Sequence, residues 1–399
     1  MFKKLGALLV ALLVLSVALA ACSSGPAPTG NITLWHSWKE SEIPALNEVI
    51  AAFQAKYPEV TFDVLYVPFD DLRGKYETAV ATGGGPTVLI GAADWGPALY
   101  DAELIADVSD LAKSGFLKTI NAAALGAVQY KDALIGLPQT IKGVVMFRNK
   151  QIVPTAPATL DDLLKLHSAA PKGDVYNTDL EAGFFFSAAH LNGIGGKLME
   201  ANGDPAFSSA KGVEWAQMLA TFGKTGLGEY YTDNDVNLFK AGKAGIIIDG
   251  SWNMTGLAEA IGAANLAIDP WPTTSGGHLS GYVQTENIYL SANALDAAET
   301  AGWAFMEFFL GKDAQTTLVK AGHIPAIAGV EVADPLMEQT VKAFERGTAF
   351  PVIPEMGAYW ESMDNALKSI LNEGADPAAT LKTASDNITA KIKEIRAGQ

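Results

Sequence analysis

The chain has 399 residues, 28 basic and 44 acidic side chains, a formal net charge of −16 and a single cysteine, Cys22. One cysteine excludes an internal disulfide and a cysteine-built metal centre, and the acidic balance disfavours nucleic acid as a partner because phosphate binding needs a basic surface. The length predicts two lobes or domains, and an apolar share of 49% is enough for large cores.

Residues 1–21 have the layout of a secretory signal peptide. A positive stretch with Lys3 and Lys4 precedes an apolar run over residues 5–19, which is too short and wrongly flanked for a stable membrane span. The tetrapeptide that ends at Cys22, Leu-Ala-Ala-Cys, resembles the lipobox of bacterial lipoproteins. That resemblance implies cleavage before Cys22, lipidation of its thiol and anchoring to a membrane, with residues 22–30 as a flexible tether.

The first half of the mature chain alternates between strand and helix patterns. Strands are predicted over residues 31–35, 60–66 and 87–91, with helices from about 43 to 56 and from about 70 onwards. This alternation predicts an α/β lobe with a mostly parallel sheet. Gly83-Gly84-Gly85-Pro86 follows a helix rather than a strand and lacks Gly-Lys-Ser/Thr. It therefore favours a helix-terminating turn over a phosphate-binding loop.

The second half continues the alternation without an obvious repeat. Helices are predicted over residues 160–166, 184–191 and 299–310 and in the tail after residue 360, and strands over 245–249 and 288–290. No two of the five histidines have a helical i, i+4 spacing, and neither His-Glu-x-x-His nor Gly-x-Ser-x-Gly occurs. The sequence thus predicts no metal site and no serine nucleophile, while a pair of carboxylates for glycoside hydrolysis stays open.

Tryptophan placement is the remaining signal. Trp38, Trp95, Trp252 and Trp360 lie beside polar or turn residues, the first three just after predicted strands, whereas Trp215 and Trp303 fit helical core positions. Ligands of open α/β sheets bind outside the carboxyl ends of strands. Aromatic faces beside carboxylates suit a sugar, whose C–H faces stack while its hydroxyls form hydrogen bonds. Each tryptophan alone fits core packing or an exposed loop, but the four together favour a sugar site.

The same residues carry a family resemblance over nearly the whole mature chain. The matching segments are Ile32-Thr33-Leu34-Trp35-His36-Ser37-Trp38, the Phe53 to Val60 and Ala81 to Pro86 landmarks, Phe239 to Gly245 followed by Asp249-Gly250-Ser251-Trp252, and Phe350 to Trp360. The chain resembles the extracellular solute-binding proteins of ATP-binding-cassette (ABC) sugar transporters, and among them the maltose/maltodextrin-binding branch.

The resemblance implies a two-lobed periplasmic-binding-protein-like α/β fold with the ligand cleft between the lobes. The lobes would be residues 31–140 plus 288–330 and residues 141–287 plus 331–399, with crossings near 140–142, 284–287 and 330–335. Hinge closure would trap the sugar, and the permease subunits of the transporter would read the closed form. The resemblance further implies a monomer without cofactor, metal or catalysis.

Carried over by position, Trp252 and Trp360 match stacking aromatics and Asp94 matches a hydroxyl-binding carboxylate. The full candidate binding set is Trp38, Lys39, Glu40, Asp94, Trp95, Lys142, Phe185, Asp249, Trp252, Glu286 and Trp360. Four positions depart from the maltose pattern: Thr87 in place of Asp, Gly91 in place of a stacking Trp, Trp95 in place of a basic residue, and Lys142 near a usually acidic position.

Two other functions stay open at this point. Trp35-His36-Ser37 also resembles a related branch that binds glycerol 3-phosphate or glycerophosphodiesters, which would need basic groups or helix N-termini in the cleft. A surface glycoside hydrolase is the alternative from another class.

Overall fold

The computed structural model describes residues 27–222 and 234–397. The predicted signal peptide and Cys22 lie outside the described residues. The helices are α1 (Ile43–Lys56), α2 (Phe69–Ala81), α3 (Trp95–Asp101), α4 (Ser114–Leu117), α5 (Ala122–Gly126), α6 (Leu160–Ser168), α7 (Phe184–Gly193), α8 (Ala210–Phe222), α9 (Asn234–Lys240), α10 (Met254–Ile261), α11 (Ala297–Phe309), α12 (Lys312–Val319), α13 (Pro335–Phe344), α14 (Tyr359–Glu373) and α15 (Pro377–Ala397). None of these helices is long and apolar enough to cross a membrane.

The strands form one large sheet and two short hairpins. They are β1 (Gly30–His36), β2 (Val60–Tyr66), β3 (Val88–Ala92), β4 (Gln129–Tyr130), β5 (Ala133–Leu134), β6 (Leu137–Asn149), β7 (Ile246–Gly250), β8 (Leu266–Asp269), β9 (Thr273–Thr274), β10 (Gly277–His278), β11 (Tyr282–Leu290), β12 (Ile324–Pro325) and β13 (Thr348–Ala349). The order in the large sheet is β12-β6-β11-β3-β1-β2, with β7 and β8 paired to β6 and β13 paired to β11.

The predicted α/β class is confirmed, but the expected pairing direction is correct only for part of the sheet. β1 is parallel to β2 and β3, as strands joined by helical crossovers should be. The long strands β6 and β11 are antiparallel to each other, and β7 and β8 are antiparallel to β6. This difference arises because β6 and β11 carry the chain between the two halves of the molecule in opposite directions.

Buried apolar side chains form two groups of clusters. One group draws on residues 32–137 and 288–327, and it is centred on Phe53, Phe305 and Phe309. The other draws on residues 144–282 and 324–392 and contains Trp215 and Tyr359. Two separate cores joined by β6 and β11 leave a cleft between the halves of the molecule.

The glycine-rich segment after α2 ends that helix, as predicted. Gly83 and Gly85 have φ angles of +82° and +89°, values that glycine adopts without strain. The Gly83 and Gly84 amides donate to the carbonyls of Val80 and Ala79 at 3.0 Å. These hydrogen bonds satisfy the last carbonyls of α2, so the glycines have a structural explanation.

Candidate functional site

A cavity of about 830 Å³ lies between the two halves of the molecule. Side chains just after β1 and β3 line one side, and those at the end of β7 line the other. A second groove of about 900 Å³ lies on the outer face beside β2 and α2, but it is wide open to solvent and is formed by neighbouring segments of the chain. The cleft instead brings together distant segments, as a ligand site does.

An aromatic wall covers one side of the cleft. The Phe185 ring centroid lies 6.2 Å from that of Trp252 and 6.3 Å from that of Trp360, with interplanar angles of 34° and 30°. Trp252 packs directly over Gly250, where a Cβ would come within 2.0 Å of the indole. All three rings line the cavity and are partly exposed, so they offer faces to a ligand.

Trp95 and Phe69 form the aromatic part of the opposite side. Their ring centroids lie 5.1 Å apart, and both side chains line the cavity. A Cβ on Gly91 would come within 2.7 Å of two Trp95 ring atoms. The two departures from the maltose pattern are therefore coupled, because the missing side chain at Gly91 provides the space that the Trp95 ring fills.

The floor of the cleft is a buried network of charges. Lys142 Nζ lies 3.0 Å from Glu286 Oε2 and 3.4 Å from Glu42 Oε1, and His323 Nε2 lies 2.8 Å from the same Glu42 oxygen. Burial by itself would raise the pKa of Glu42, but Lys142 and His323 overcome it and lower that pKa to about 2. Burial would likewise lower the pKa of Lys142, but Glu286 and Glu42 raise it. Glu42 and Lys142 therefore stay ionised at neutral pH.

Two predicted binding residues do not line the cavity. The side chain of Trp38 is 2% exposed, its ring lies 4.4 Å from His323, and its indole N–H donates to Glu286 Oε2 at 2.8 Å. Glu40 is exposed at the start of a 3₁₀ turn over Glu40–Glu42. Trp38 faces inwards because Glu286 gives its N–H a buried acceptor, so it supports the floor instead of contacting the cavity.

The other nine predicted residues all line the cavity: Lys39, Asp94, Trp95, Lys142, Phe185, Asp249, Trp252, Glu286 and Trp360. Burial raises the pKa of Asp94 to about 6, against the opposing effect of Arg73. The carboxylate of Asp249 accepts hydrogen bonds from the Gly250 amide and, at 3.1 Å, from the Asn253 side chain. These side chains come from segments that are more than 300 residues apart in the chain.

Further lining residues are absent from the predicted set: Glu42, Phe69, Asp70, Arg73, Glu181, Asp235, Asn253, Gln284, Asp364 and Lys368. Helical spacing could have identified some of them. Asp364 and Lys368 follow the predicted Trp360 at intervals of four on α14, and Arg73 follows Phe69 at the same interval on α2. Glu181 and Asp235 carry no such signal.

Comparison with known proteins identifies the family. The model of the family described as bacterial extracellular solute-binding protein matches residues 48–345. The chain belongs to this family. The maltotriose-binding protein of Pyrococcus abyssi is 24% identical, covering 92% of this chain and 83% of its own. The galactooligosaccharide-binding protein of Bacillus subtilis is also 24% identical, covering 96% of both chains.

Solved structures show the same fold. The maltose/maltodextrin-binding domain MalE of Bdellovibrio bacteriovorus, bound to maltotriose, superposes with a TM-score of 0.85 at 21% identity, covering 91% of this chain and all of that one. The maltotriose-binding protein of Thermus thermophilus gives 0.82 at 20% identity, covering 90% and 100%. The predicted membership of the extracellular solute-binding proteins and the two-lobed fold are therefore confirmed, and the members of this family are receptors.

Proposed function

We propose that this solute-binding protein is an extracellular receptor for an oligosaccharide of the maltose or maltodextrin kind, and that it delivers this sugar to an ABC transporter. The observation that carries the proposal is the position of Phe185 between Trp252 and Trp360 on one wall of the cleft. A row of partly exposed rings fits the C–H faces of successive sugar units. The names of the relatives, which bind maltotriose and galactooligosaccharide, support the same ligand class.

Polar groups of the floor would orient the sugar. Glu286 Oε2 already accepts hydrogen bonds from Trp38 and Gln139 and pairs with Lys142, which leaves Oε1 to accept a sugar hydroxyl. Asp94 and Lys39 line the same cavity and add an acceptor and a donor. Because Lys142 and Trp38 hold the Glu286 carboxylate in place, it is preorganised before the sugar arrives.

We further propose that residues 31–140 plus 288–330 and residues 141–287 plus 331–399 are lobes that close over the sugar. The separation of the two groups of core clusters supports this division. β6 and β11 would act as hinge strands, because each contributes to the cavity floor and continues into both halves. Ligand contacts with both walls would then favour the closed state.

The protein would act at the cell surface as a monomer without catalysis. Cleavage after residue 21 and lipidation of Cys22 would anchor it, with residues 22–30 as the tether. A relative from Streptococcus pneumoniae, named as a maltooligosaccharide ABC transporter solute-binding lipoprotein, supports this arrangement. A phosphate ester is disfavoured as the ligand, because eight carboxylates and only four basic side chains line the cavity.

The test is calorimetric titration of maltotriose into the Trp252→Ala and Trp360→Ala variants. Central buried aromatics are typical binding hot spots, so each variant should lose about 2 kcal/mol, roughly thirtyfold in Kd. Tyr66→Ala is the matched control, since Tyr66 is 56% exposed on β2 and does not line the cleft. Unchanged affinity in both tryptophan variants would remove the aromatic wall from the site.

A further inference from the structure

Tyr289 is a residue of β11 whose hydroxyl lies behind the turn that follows β3. It is completely buried and does not line the cavity. A buried tyrosine hydroxyl usually finds a hydrogen-bond partner. Here the hydroxyl donates to the Ala92 carbonyl at 2.9 Å and lies 3.4 Å from the Ala93 carbonyl oxygen. Its partners are therefore the two backbone groups that directly precede Asp94 and Trp95.

Asp94 and Trp95 depend on this turn for their places in the cleft. Both side chains line the cavity, and they are 8% and 5% exposed. The Asp94 backbone is already helical, with φ −67° and ψ −15°, and the Ala93 carbonyl accepts a hydrogen bond from the Gly96 amide at 3.2 Å, at the start of α3. A shift of the Ala92 and Ala93 peptides would therefore move the carboxylate and the indole together.

The hydroxyl of Tyr289 is oriented by Asn287, two residues earlier on β11. Asn287 is completely buried, and its Nδ2 donates to the hydroxyl oxygen at 2.9 Å, while its Oδ1 accepts from Thr285 at 2.7 Å. Because the hydroxyl oxygen accepts from Asn287, its own proton is left for the Ala92 carbonyl. This chain of hydrogen bonds begins on the proposed hinge strand, where the pairing of β11 with β6 shifts register between Glu286 and Asn287.

Two glycines give the Tyr289 side chain room to reach the turn. A Cβ on Gly96 would come within 3.1 Å of the hydroxyl oxygen, and a Cβ on Gly136 would come within 2.8 Å of the ring. Such close packing fixes the ring, as expected in a protein interior. A phenylalanine ring would fill the same space but would leave the Ala92 carbonyl without this donor.

We infer that Tyr289 is a positioning residue for sugar binding, and that its hydroxyl holds the turn after β3 in the place where Asp94 and Trp95 meet the ligand. This inference rests on the proposed sugar-binding function and adds a residue that does not contact the sugar. The turn is held before the sugar arrives, so less ordering accompanies binding. Without the hydroxyl, the carboxylate and the indole have to be ordered by the ligand itself.

The test is calorimetric titration of maltotriose into the Tyr289→Phe variant, for which we expect about tenfold weaker binding. Tyr282→Phe is the matched control, because Tyr282 lies on the same strand, is 1% exposed, and has a hydroxyl without a hydrogen-bond partner among the described residues. The control should bind within twofold of the parent. Affinity within twofold of the parent in Tyr289→Phe itself overturns the inference.

Combination with variants of the two walls separates positioning from a general loss of structure. Tyr289→Phe should cost about tenfold again in a Trp252→Ala background, on the opposite wall. In a Trp95→Ala background it should cost threefold or less, because part of what the hydroxyl positions is already gone. Equal losses in the two backgrounds overturn the inference. If Tyr289→Phe does not fold, Asn287→Ala removes the orienting donor and is judged in the same two backgrounds by the same criterion.

Hydrogen exchange of the sugar-free protein gives a second readout that needs no ligand. We expect the amides of residues 94–96 to exchange at least fivefold faster in Tyr289→Phe than in the parent, and those of residues 250–254 to be unchanged. Unchanged exchange over residues 94–96 overturns the inference. If maltotriose does not bind the parent, the proposed ligand is wrong, and hydrogen exchange alone then decides whether Tyr289 holds the turn.

Discussion

Replacing Lys142 with methionine tests the charge network of the cleft floor. Methionine keeps much of the length of the side chain but leaves the carboxylates of Glu42 and Glu286 without their cation, at side-chain exposures of only 3% and 11%. Removing one partner of a buried pair typically costs 3–5 kcal/mol because the remaining charge stays buried. The pKa of Glu42 gives a similar scale, since lowering it from 4.5 to about 2 corresponds to roughly 3 kcal/mol of the free energy of unfolding.

The pH dependence of this effect follows from the sign of the shift. The lowered pKa of Glu42 stabilises the native protein above about pH 4.5, and this contribution is lost as the pH falls towards 2. In Lys142→Met the Glu42 carboxylate loses the largest influence that lowers its pKa, so it takes up its proton at a higher pH than in the parent. The destabilisation should therefore be about 3–5 kcal/mol at pH 7 and clearly smaller at pH 4.5.

Urea denaturation of parent and variant at both pH values measures this difference. Lys165→Met is the matched control, because Lys165 is 78% exposed and lies 3.9 Å from Asp162. Such a surface pair contributes about 0–1 kcal/mol, so the control should remain close to the parent. A loss below about 1 kcal/mol at pH 7, or an equal loss at both pH values, would refute the argument for a buried ionised network.

Three further variants test other parts of the account. Gly91→Ala places a Cβ 2.7 Å from the Trp95 ring, so calorimetry with the bound sugar should show weaker binding, and unfolding should show a loss of about 1–3 kcal/mol. Arg148→Leu leaves Asp269 buried at 9% side-chain exposure without its partner at 2.5 Å, and thermal unfolding should show a loss of about 3–5 kcal/mol. Burial lowers the pKa of His190 to about 4, so stability should fall as the pH drops from 6.5 towards 4, and His190→Gln should flatten that slope in urea titrations.

The sequence predicted the cleft well where side chains follow strand ends. Trp95, Asp249 and Trp252 lie at the carboxyl ends of β3 and β7, and this placement follows from the alternation of elements in any open α/β sheet. Trp360 was predicted from its position beside turn residues and from the resemblance of the segment Phe350 to Trp360 to the family. Local pattern is enough in such cases because the position of the side chain depends on its own element.

The remaining features depend on partners that are distant in sequence. Nothing near Trp38 indicates that Glu286, 248 residues away, accepts its indole N–H and turns it towards the core. The antiparallel pairing of β6 and β11 likewise depends on which lobe each strand runs into. The pattern of apolar residues along a single strand does not contain this information. Asp235 and Asp249 come together in the cleft only when α9 and β7 pack against each other, so Asp235 showed no signal in the sequence.

Thermal unfolding of the purified protein with a panel of mono-, di- and oligosaccharides tests the central claim most directly. A ligand that binds the native state raises its apparent stability by about 2.7 kcal/mol at a hundred times its Kd. We predict a clear rise in Tm with at least one oligosaccharide and a smaller rise or none with monosaccharides. No change in Tm with any sugar at millimolar concentration would contradict the assignment of this cleft as a sugar site.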